Sequence, residues 1–172
     1  MNKIFLLGVQ TLKENSAVNA NVSDEYILPC IAEAQYSGLM PLIGKCLYSK
    51  LCSLVASTEI ELPENEPYKT LLDDYVVPYL IQKTQSELQL TIGFKIRNAG
   101  PVQNSDAEHY SNADLRTIQY LQQSYLDKSN TVAHRLERFL CKHRSDYPEL
   151  CNCNDCSEVI RNPKAYKTNI NL

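Results

Sequence analysis

The segment SDEYILPCIAEAQYSGLMPLIGKCLY, residues 23–48, decides the fold class because it holds two helical patterns joined by a tight apolar turn. Ser23 is a favourable N-cap residue, and acidic residues follow it in the first turn. Apolar residues then recur at i, i+4 and i+7, the spacing of one helix face: Ile27, Ile31 and Ala34. The pattern predicts a first helix over about 24–37 and a second over about 45–56.

Two longer helices follow. Apolar residues at helical spacing predict a third helix over about 68–90, which Pro78 should kink. A fourth and longest helix is predicted over about 112–144, with an interruption near 129–131 and a core stripe that includes Leu115, Leu121 and Phe139. Between them, residues 91–111 alternate apolar and polar side chains at first and then turn polar, which predicts a protruding loop or β-hairpin.

The two ends of the chain differ from the helical middle. An apolar run over residues 3–9 predicts a short strand, and the acidic stretch 57–67 predicts a solvated loop. Residues 148–172 carry few apolar side chains and no helical period, which is typical of an extended arm. We therefore expect a mainly α protein: a four-helix bundle over 1–147, with a β-hairpin-like excursion between its two longest helices, and a C-terminal arm over 148–172.

Composition and motifs argue against several classes of function. The 172 residues carry a formal net charge of −3, which argues against binding driven by many phosphate contacts. No apolar run reaches the roughly 18 residues of a membrane span. The sequence shows no nucleophile–base pattern and no glycine-rich phosphate loop, and the pair Asp73-Asp74 reads as two solvent-facing helix residues. We expect neither an enzyme nor a cofactor.

Seven cysteines raise the question of a metal site. The odd count favours reduced thiols, and Cys30, Cys46 and Cys52 are expected to pack as small apolar side chains. A second group lies near the C-terminus: Cys151, Cys153 and Cys156. These three thiols, with His143, form a weak candidate zinc site, because the usual distant Cys-x-x-Cys pairs are missing; an incidental cysteine-rich turn is the alternative.

Arg135, Arg138 and Lys142 share one face of the fourth helix, at i, i+3 and i+7. Local stabilisation of a helix C-terminus explains them simply. Contact with DNA and docking onto an acidic protein partner are the two functional alternatives. Further candidate interface residues lie in the excursion and in the arm: Phe94, Ile96, Arg97, Val102 and Tyr166.

The chain also resembles a known group. Ile31-Ala32-Glu33-Ala34 followed by Pro41-Leu42-Ile43-Gly44-Lys45-Cys46-Leu47-Tyr48 matches an I-x-x-A helix that leads into a P-L-(L/I)-G-x-x-L-Y turn. This pattern, over residues 22–54, resembles small structural proteins of phages that infect Bacteroidetes, including crAss-like phages. The order of downstream elements is also similar, whereas the cysteine-rich tail departs from the pattern.

That group is similar to head–tail connector, or adaptor, proteins. The resemblance implies a helical subunit of a ring, commonly of twelve copies, between the portal and neighbouring tail proteins in the virion, with the host cytoplasm as the place of assembly. Genome DNA would pass through the ring without specific binding, and the acidic stretch 57–67 is a candidate lining of its channel. The alternative from the residues themselves is a small helical regulatory protein that binds DNA or metal.

Overall fold

The computed structural model describes residues 3–97, 100–103 and 115–152, and the architecture is mainly helical, as predicted. The α-helices are α1 (Val9–Glu14), α2 (Asp24–Glu33), α3 (Met40–Ile43), α4 (Lys45–Ala56), α5 (Glu66–Leu71), α6 (Val77–Gly93), α7 (Leu115–Lys142) and α8 (Glu149–Asn152). Turns of 3-10 helix cover Glu59–Glu61, Pro63–Asn65 and Arg144–Asp146, and π-helical turns cover Ala34–Leu39 and Leu72–Val76.

Helix α6 lies at the centre and packs against both α2 and α7. The apolar stripes read from the sequence supply the core between these helices and α4. Its most deeply buried side chains include Ile27, Ile31, Leu39, Ile43, Leu47, Leu51, Leu71, Leu80, Leu88 and Leu136. Burying side chains of this size contributes about 1.5–3 kcal/mol each, which is the main force holding the helices together.

Both π-helical turns end two residues before a proline: Ala34–Leu39 precedes Pro41, and Leu72–Val76 precedes Pro78. Proline lacks the N–H that would bond to the carbonyl four residues earlier, and its ring clashes with that carbonyl. A π turn widens the helix at this point and accommodates the ring. The predicted third helix is therefore divided into α5, a π turn and α6, and the irregularity lies before Pro78.

The predicted N-terminal strand over residues 3–9 is wrong. Val9 begins α1, and the preceding segment is held by one glutamine instead of by a strand partner. The Gln35 side chain accepts a hydrogen bond from Leu6 N–H at 2.7 Å and donates one to the Ile4 carbonyl at 3.1 Å. Because the side-chain amide occupies both main-chain groups, Leu6 and Leu7 are drawn into the core without a strand.

The segment between α6 and α7 contains two short strands, Phe94–Arg97 and Gly100–Gln103. They pair antiparallel, with Lys95 opposite Val102. The alternation read from Thr91 begins too early, because α6 continues through its last turn to Gly93. Residues 98–99 and 104–114 lie outside the described residues, so the protrusion of the whole 91–111 excursion stays a prediction.

Helix α7 runs without a break through the interruption expected at 129–131. Ser129 donates its hydroxyl to the Leu126 carbonyl at 2.8 Å, and Thr131 donates to the Asp127 carbonyl at 3.0 Å. These bonds keep the hydroxyls satisfied inside the helix. Beyond α7 the chain stays packed through the predicted boundary at residue 147, since Leu150 is buried and α8 contacts α4. Residues 153–172 of the predicted arm lie outside the described residues.

Among the described residues, none of the helices combines the length and the apolar character needed to cross a membrane.

Candidate interaction surface on the long helix

The three cations predicted to share a helix face do come together, at the C-terminal end of α7. They line an open pocket of about 310 Å³ with aromatic side chains from α7 and from the π turn before α6. We call this feature the cationic pocket; its residues are Tyr75, Arg135, Arg138, Phe139, Lys142 and His143. A pocket of this size has room for acidic side chains or a phosphate group.

Three stacked rings form the floor of the cationic pocket. The Phe139 ring lies against the Tyr75 ring, with centroids 4.1 Å apart and planes 20° from parallel. On its other side the His143 ring lies at 4.5 Å and 29°. Since offset stacking contributes about 0.5–1.5 kcal/mol per pair beyond area burial, the floor is rigid and joins α7 to the π turn. The sequence placed Phe139 only in the core stripe and gave no sign of the stack.

A second layer of tyrosines supports this floor. Tyr147 is buried beside Phe139, and its hydroxyl donates a hydrogen bond to the Pro67 carbonyl at 2.8 Å. Tyr68 packs edge-on against Tyr147 and donates to the Glu149 carboxylate at 2.9 Å. Burial, reinforced by this carboxylate, raises the pKa of Tyr68 to about 12. These contacts therefore hold the segment after α7, which contains Tyr147 and Glu149, in place on α5.

The cations of the pocket lie near carboxylates but form an ion pair with none of them in the described part of the chain. Arg135, Arg138 and Lys142 are exposed, and none of them forms an ion pair there. Nearby Asp73 is exposed, and partial burial outweighs the attraction of Lys69 and raises the pKa of its carboxyl. Guanidinium groups bind carboxylates and phosphates in a bidentate manner, so the pocket is suited to an anionic group of a partner.

Other predicted interface residues are placed only in part. Phe94, Ile96 and Arg97 lie on the first strand and Val102 on the second, far along the chain from the cationic pocket. Tyr166 lies outside the described residues. The structure therefore brings the predicted interface residues together in two separate places, the three cations in the pocket and the other four on the paired strands.

The predicted weak zinc site is not tested. Cys151 lies in α8, and Cys153 and Cys156 lie outside the described residues. In the described part of the chain, no three histidine, cysteine or acidic side chains are grouped as metal ligands. The Asp73-Asp74 pair occupies a π turn and not a regular helix.

The cysteines of the helical core differ from expectation at one position. Cys30 is buried as a free thiol, and burial raises its pKa. Cys52 is also a free thiol and half-buried. Cys46, expected as a reduced apolar side chain, is disulfide-bonded instead. Spacing alone gave no signal for this bond.

A second surface lies at the opposite end of the α6–α7 pair. It consists of apolar side chains exposed by 38–75% and is called the apolar end: Leu90, Ile92, Leu115, Tyr120 and Leu121. The sequence assigned Leu115 and Leu121 to the core stripe of the fourth helix. Both are exposed, although Leu121 lies beyond Ile118, the first buried residue of α7.

The described residues form a small, mainly helical protein with a cationic pocket on its long helix and exposed apolar side chains at the opposite end of the α6–α7 pair. Residues 39–160 match the model of DUF6712, a family of unknown function. That stretch is more than half of the chain, and the protein belongs to this family. No curated protein and no solved structure matches it.

Proposed function

We propose that the protein is a structural virion protein, a subunit of the head–tail connector ring that joins the portal to the tail. The observation that carries the proposal is the pair of contact regions on α7. The apolar end and the cationic pocket are about 30 Å apart along the helix axis, at 1.5 Å per residue. A rigid helix with different chemistry at its two ends can hold two partners at a fixed spacing.

The rest of the architecture supports this role. Helices α2, α4, α6 and α7 supply a four-helix bundle as the rigid body of the subunit. The 91–111 excursion adds strands to a neighbouring chain through main-chain hydrogen bonds. The arm over 148–172 wraps a portal or tail protein.

The proposed ring is cyclic and, following the resemblance to connector proteins, of twelve copies. A net charge of −3 allows genome DNA to pass through the ring without adhering to it. The protein belongs to the neck of the virion and assembles in the host cytoplasm.

The decisive experiment is assembly with the portal protein of the phage that encodes this chain. Co-expression followed by electron microscopy should show an added ring on the portal. Replacing two exposed side chains of the apolar end, Leu115→Asp with Leu121→Asp, should abolish that ring. The control is Leu28→Asp, because Leu28 is 37% exposed on α2, away from α7. Portals that never carry the protein, and virions that lack it, would refute the proposal.

A small DNA-binding regulatory protein is the second candidate, and it is favoured by the cations of the cationic pocket, which form no ion pair within the described residues. Binding that depends on Arg135, Arg138 and Lys142 should weaken steeply as salt rises. Fluorescence anisotropy with a labelled duplex tests this directly. A chain that does not bind the duplex at low salt excludes this alternative. A metal-binding regulator through the C-terminal cysteines is tested by metal analysis of protein purified without added zinc.

A further inference from the structure

We propose that the cationic pocket of one copy receives the acidic stretch of the next copy, residues Glu59 to Glu66. This inference rests on the proposed ring and names the residues of its subunit contact. The pocket offers two guanidinium groups and one ammonium group around an aromatic floor. Its occupant should therefore carry carboxylates at short spacing and, between them, an apolar side chain for the rings.

The acidic stretch has this composition. Glu59, Glu61, Glu64 and Glu66 are all exposed, and between them Leu62 is 44% exposed. Within the described residues only Glu61 forms an ion pair, with Lys69. Three carboxylates and one large apolar side chain are thus displayed without a partner in the part of the chain that the structure describes.

The stretch is held in shape before any partner binds. Two 3-10 turns, Glu59–Glu61 and Pro63–Asn65, fix its backbone. The Asn65 side-chain amide donates to the Glu59 carbonyl at 2.8 Å, and Ile60 anchors the stretch in the core. Both sides of the proposed contact have a backbone held in shape, so the conformational entropy lost when they meet is mainly that of the charged side chains.

The two surfaces belong to one chain but do not meet within it. None of the pocket's cations is paired with these glutamates in the described structure. A contact between two different patches of identical copies is either reciprocal, in a two-fold dimer, or heterologous, and heterologous contacts close into a ring when the rotation per subunit allows. The complementary patches are therefore compatible with the head-to-tail arrangement of the proposed ring.

Protein is a better occupant than nucleic acid. Asp73 and Asp74 are exposed immediately before Tyr75, and Glu137 is exposed between Arg135 and Arg138. These carboxylates repel every anion, but a polyphosphate with a charge on each unit is repelled more than a stretch in which uncharged residues separate the glutamates. The overall charge of −3 adds to this repulsion.

Complementary charge reversal tests the proposal. The pocket variant is Arg135→Glu with Arg138→Glu. The acidic-stretch variant is Glu59→Lys with Glu64→Lys. Each variant alone should lose self-association at least about tenfold, because like charges then face each other. An equimolar mixture should associate again, since every contact between unlike copies is complementary. Sedimentation velocity at low salt, at high protein concentration, measures all three samples.

A matched control separates specific contacts from general charge. Lys45→Glu with Lys128→Glu makes the same change in charge on side chains that line neither patch, and it should associate like the unchanged protein. An unchanged protein that stays monomeric, or a mixture that fails to recover, overturns this inference. Such a result leaves the connector role open, because ring formation on the portal is measured separately. Loss of duplex binding in the pocket variant, with self-association intact, would assign the pocket to nucleic acid instead.

Discussion

Phe139 stacks on Tyr75 with ring centroids 4.1 Å apart, and this contact fastens the long helix to the π turn that precedes α6. The same Phe139 ring holds His143 on its other side. One side chain therefore links the packing of two helical segments to the shape of the cationic pocket.

Truncating that ring should destabilise the protein. Phe139→Ala removes the ring that stacks on Tyr75 and His143, so we expect a loss of about 2–3 kcal/mol in the free energy of unfolding. Urea denaturation measures it. Tyr120→Ala is the control, because Tyr120 is 75% exposed, and it should change stability by no more than about 0.5 kcal/mol. Equal effects of the two substitutions would show that the stack does not support α7.

The hydrogen bonds of Gln35 should hold the N-terminal segment in place. Gln35→Ala leaves the Leu6 N–H and the Ile4 carbonyl without their side-chain partner, and it removes the bond to the Tyr48 hydroxyl at 3.0 Å. We expect a loss of about 1–3 kcal/mol. Hydrogen exchange should accelerate at the Leu6 amide in particular. Gln119→Ala, at an exposed position of α7, should leave that exchange rate unchanged.

Reduction should weaken the fold through Cys46. This residue is disulfide-bonded, whereas Cys30, Cys52 and Cys141 are free thiols. Removing a native disulfide typically costs about 2–4 kcal/mol, so Cys46→Ala should lower the melting temperature to the value that a reducing agent gives the unchanged protein. Calorimetry compares the two. If reduction lowers the melting temperature of Cys46→Ala further, or leaves the unchanged protein unaffected, the bond does not stabilise the folded chain.

Stability should fall in strong alkali because of buried tyrosines. Burial raises the pKa of Tyr48, Tyr68 and Tyr79 to about 12. In the unfolded chain the same hydroxyls ionise near about pH 10. The unfolded state therefore loses protons first, and the stabilisation, complete below about pH 10, is lost progressively up to about pH 12.

A conservative substitution isolates one of these groups. Tyr79→Phe removes a buried hydroxyl that ionises only at high pH, so its free energy of unfolding should fall less steeply with pH than that of the unchanged protein. Tyr120→Phe, at an exposed position, should reproduce the unchanged slope. Urea denaturation repeated across this pH range gives both slopes. Parallel curves for all three proteins would contradict the assignment.

The helical core could be predicted because apolar spacing reports burial directly. Ile27, Ile31 and Leu47 lie where the pattern placed them, and α4 has the predicted bounds Lys45–Ala56. The pattern failed at residues 3–9, since an apolar run of this length fits a strand or a buried coil equally well. The choice depends on Gln35, which is distant in sequence and whose side chain bonds to the main chain of this segment.

The candidate site was predictable in part. Helical spacing alone placed Arg135, Arg138 and Lys142 on one face, and this prediction does not depend on tertiary packing. The aromatic floor was not predictable, because Tyr75 is about sixty residues away in sequence and its contact with Phe139 depends on tertiary packing. The exposure of Leu115 and Leu121 was also not predictable. Periodicity shows which side chains share a helix face, but not whether a neighbouring helix covers them.

The π turn at Leu72–Val76 has a consequence for the register of everything that follows it. One extra residue in a turn rotates the rest of a helix by about 100°. In a regular helix the apolar side of α6 would therefore point in a different direction from that of α5. The extra residue in the π turn brings both apolar sides onto a single core. Deleting one residue within Leu72–Val76 should leave the helix continuous but rotate α6 about its axis. Leu80 and Leu88 would then face water instead of the core.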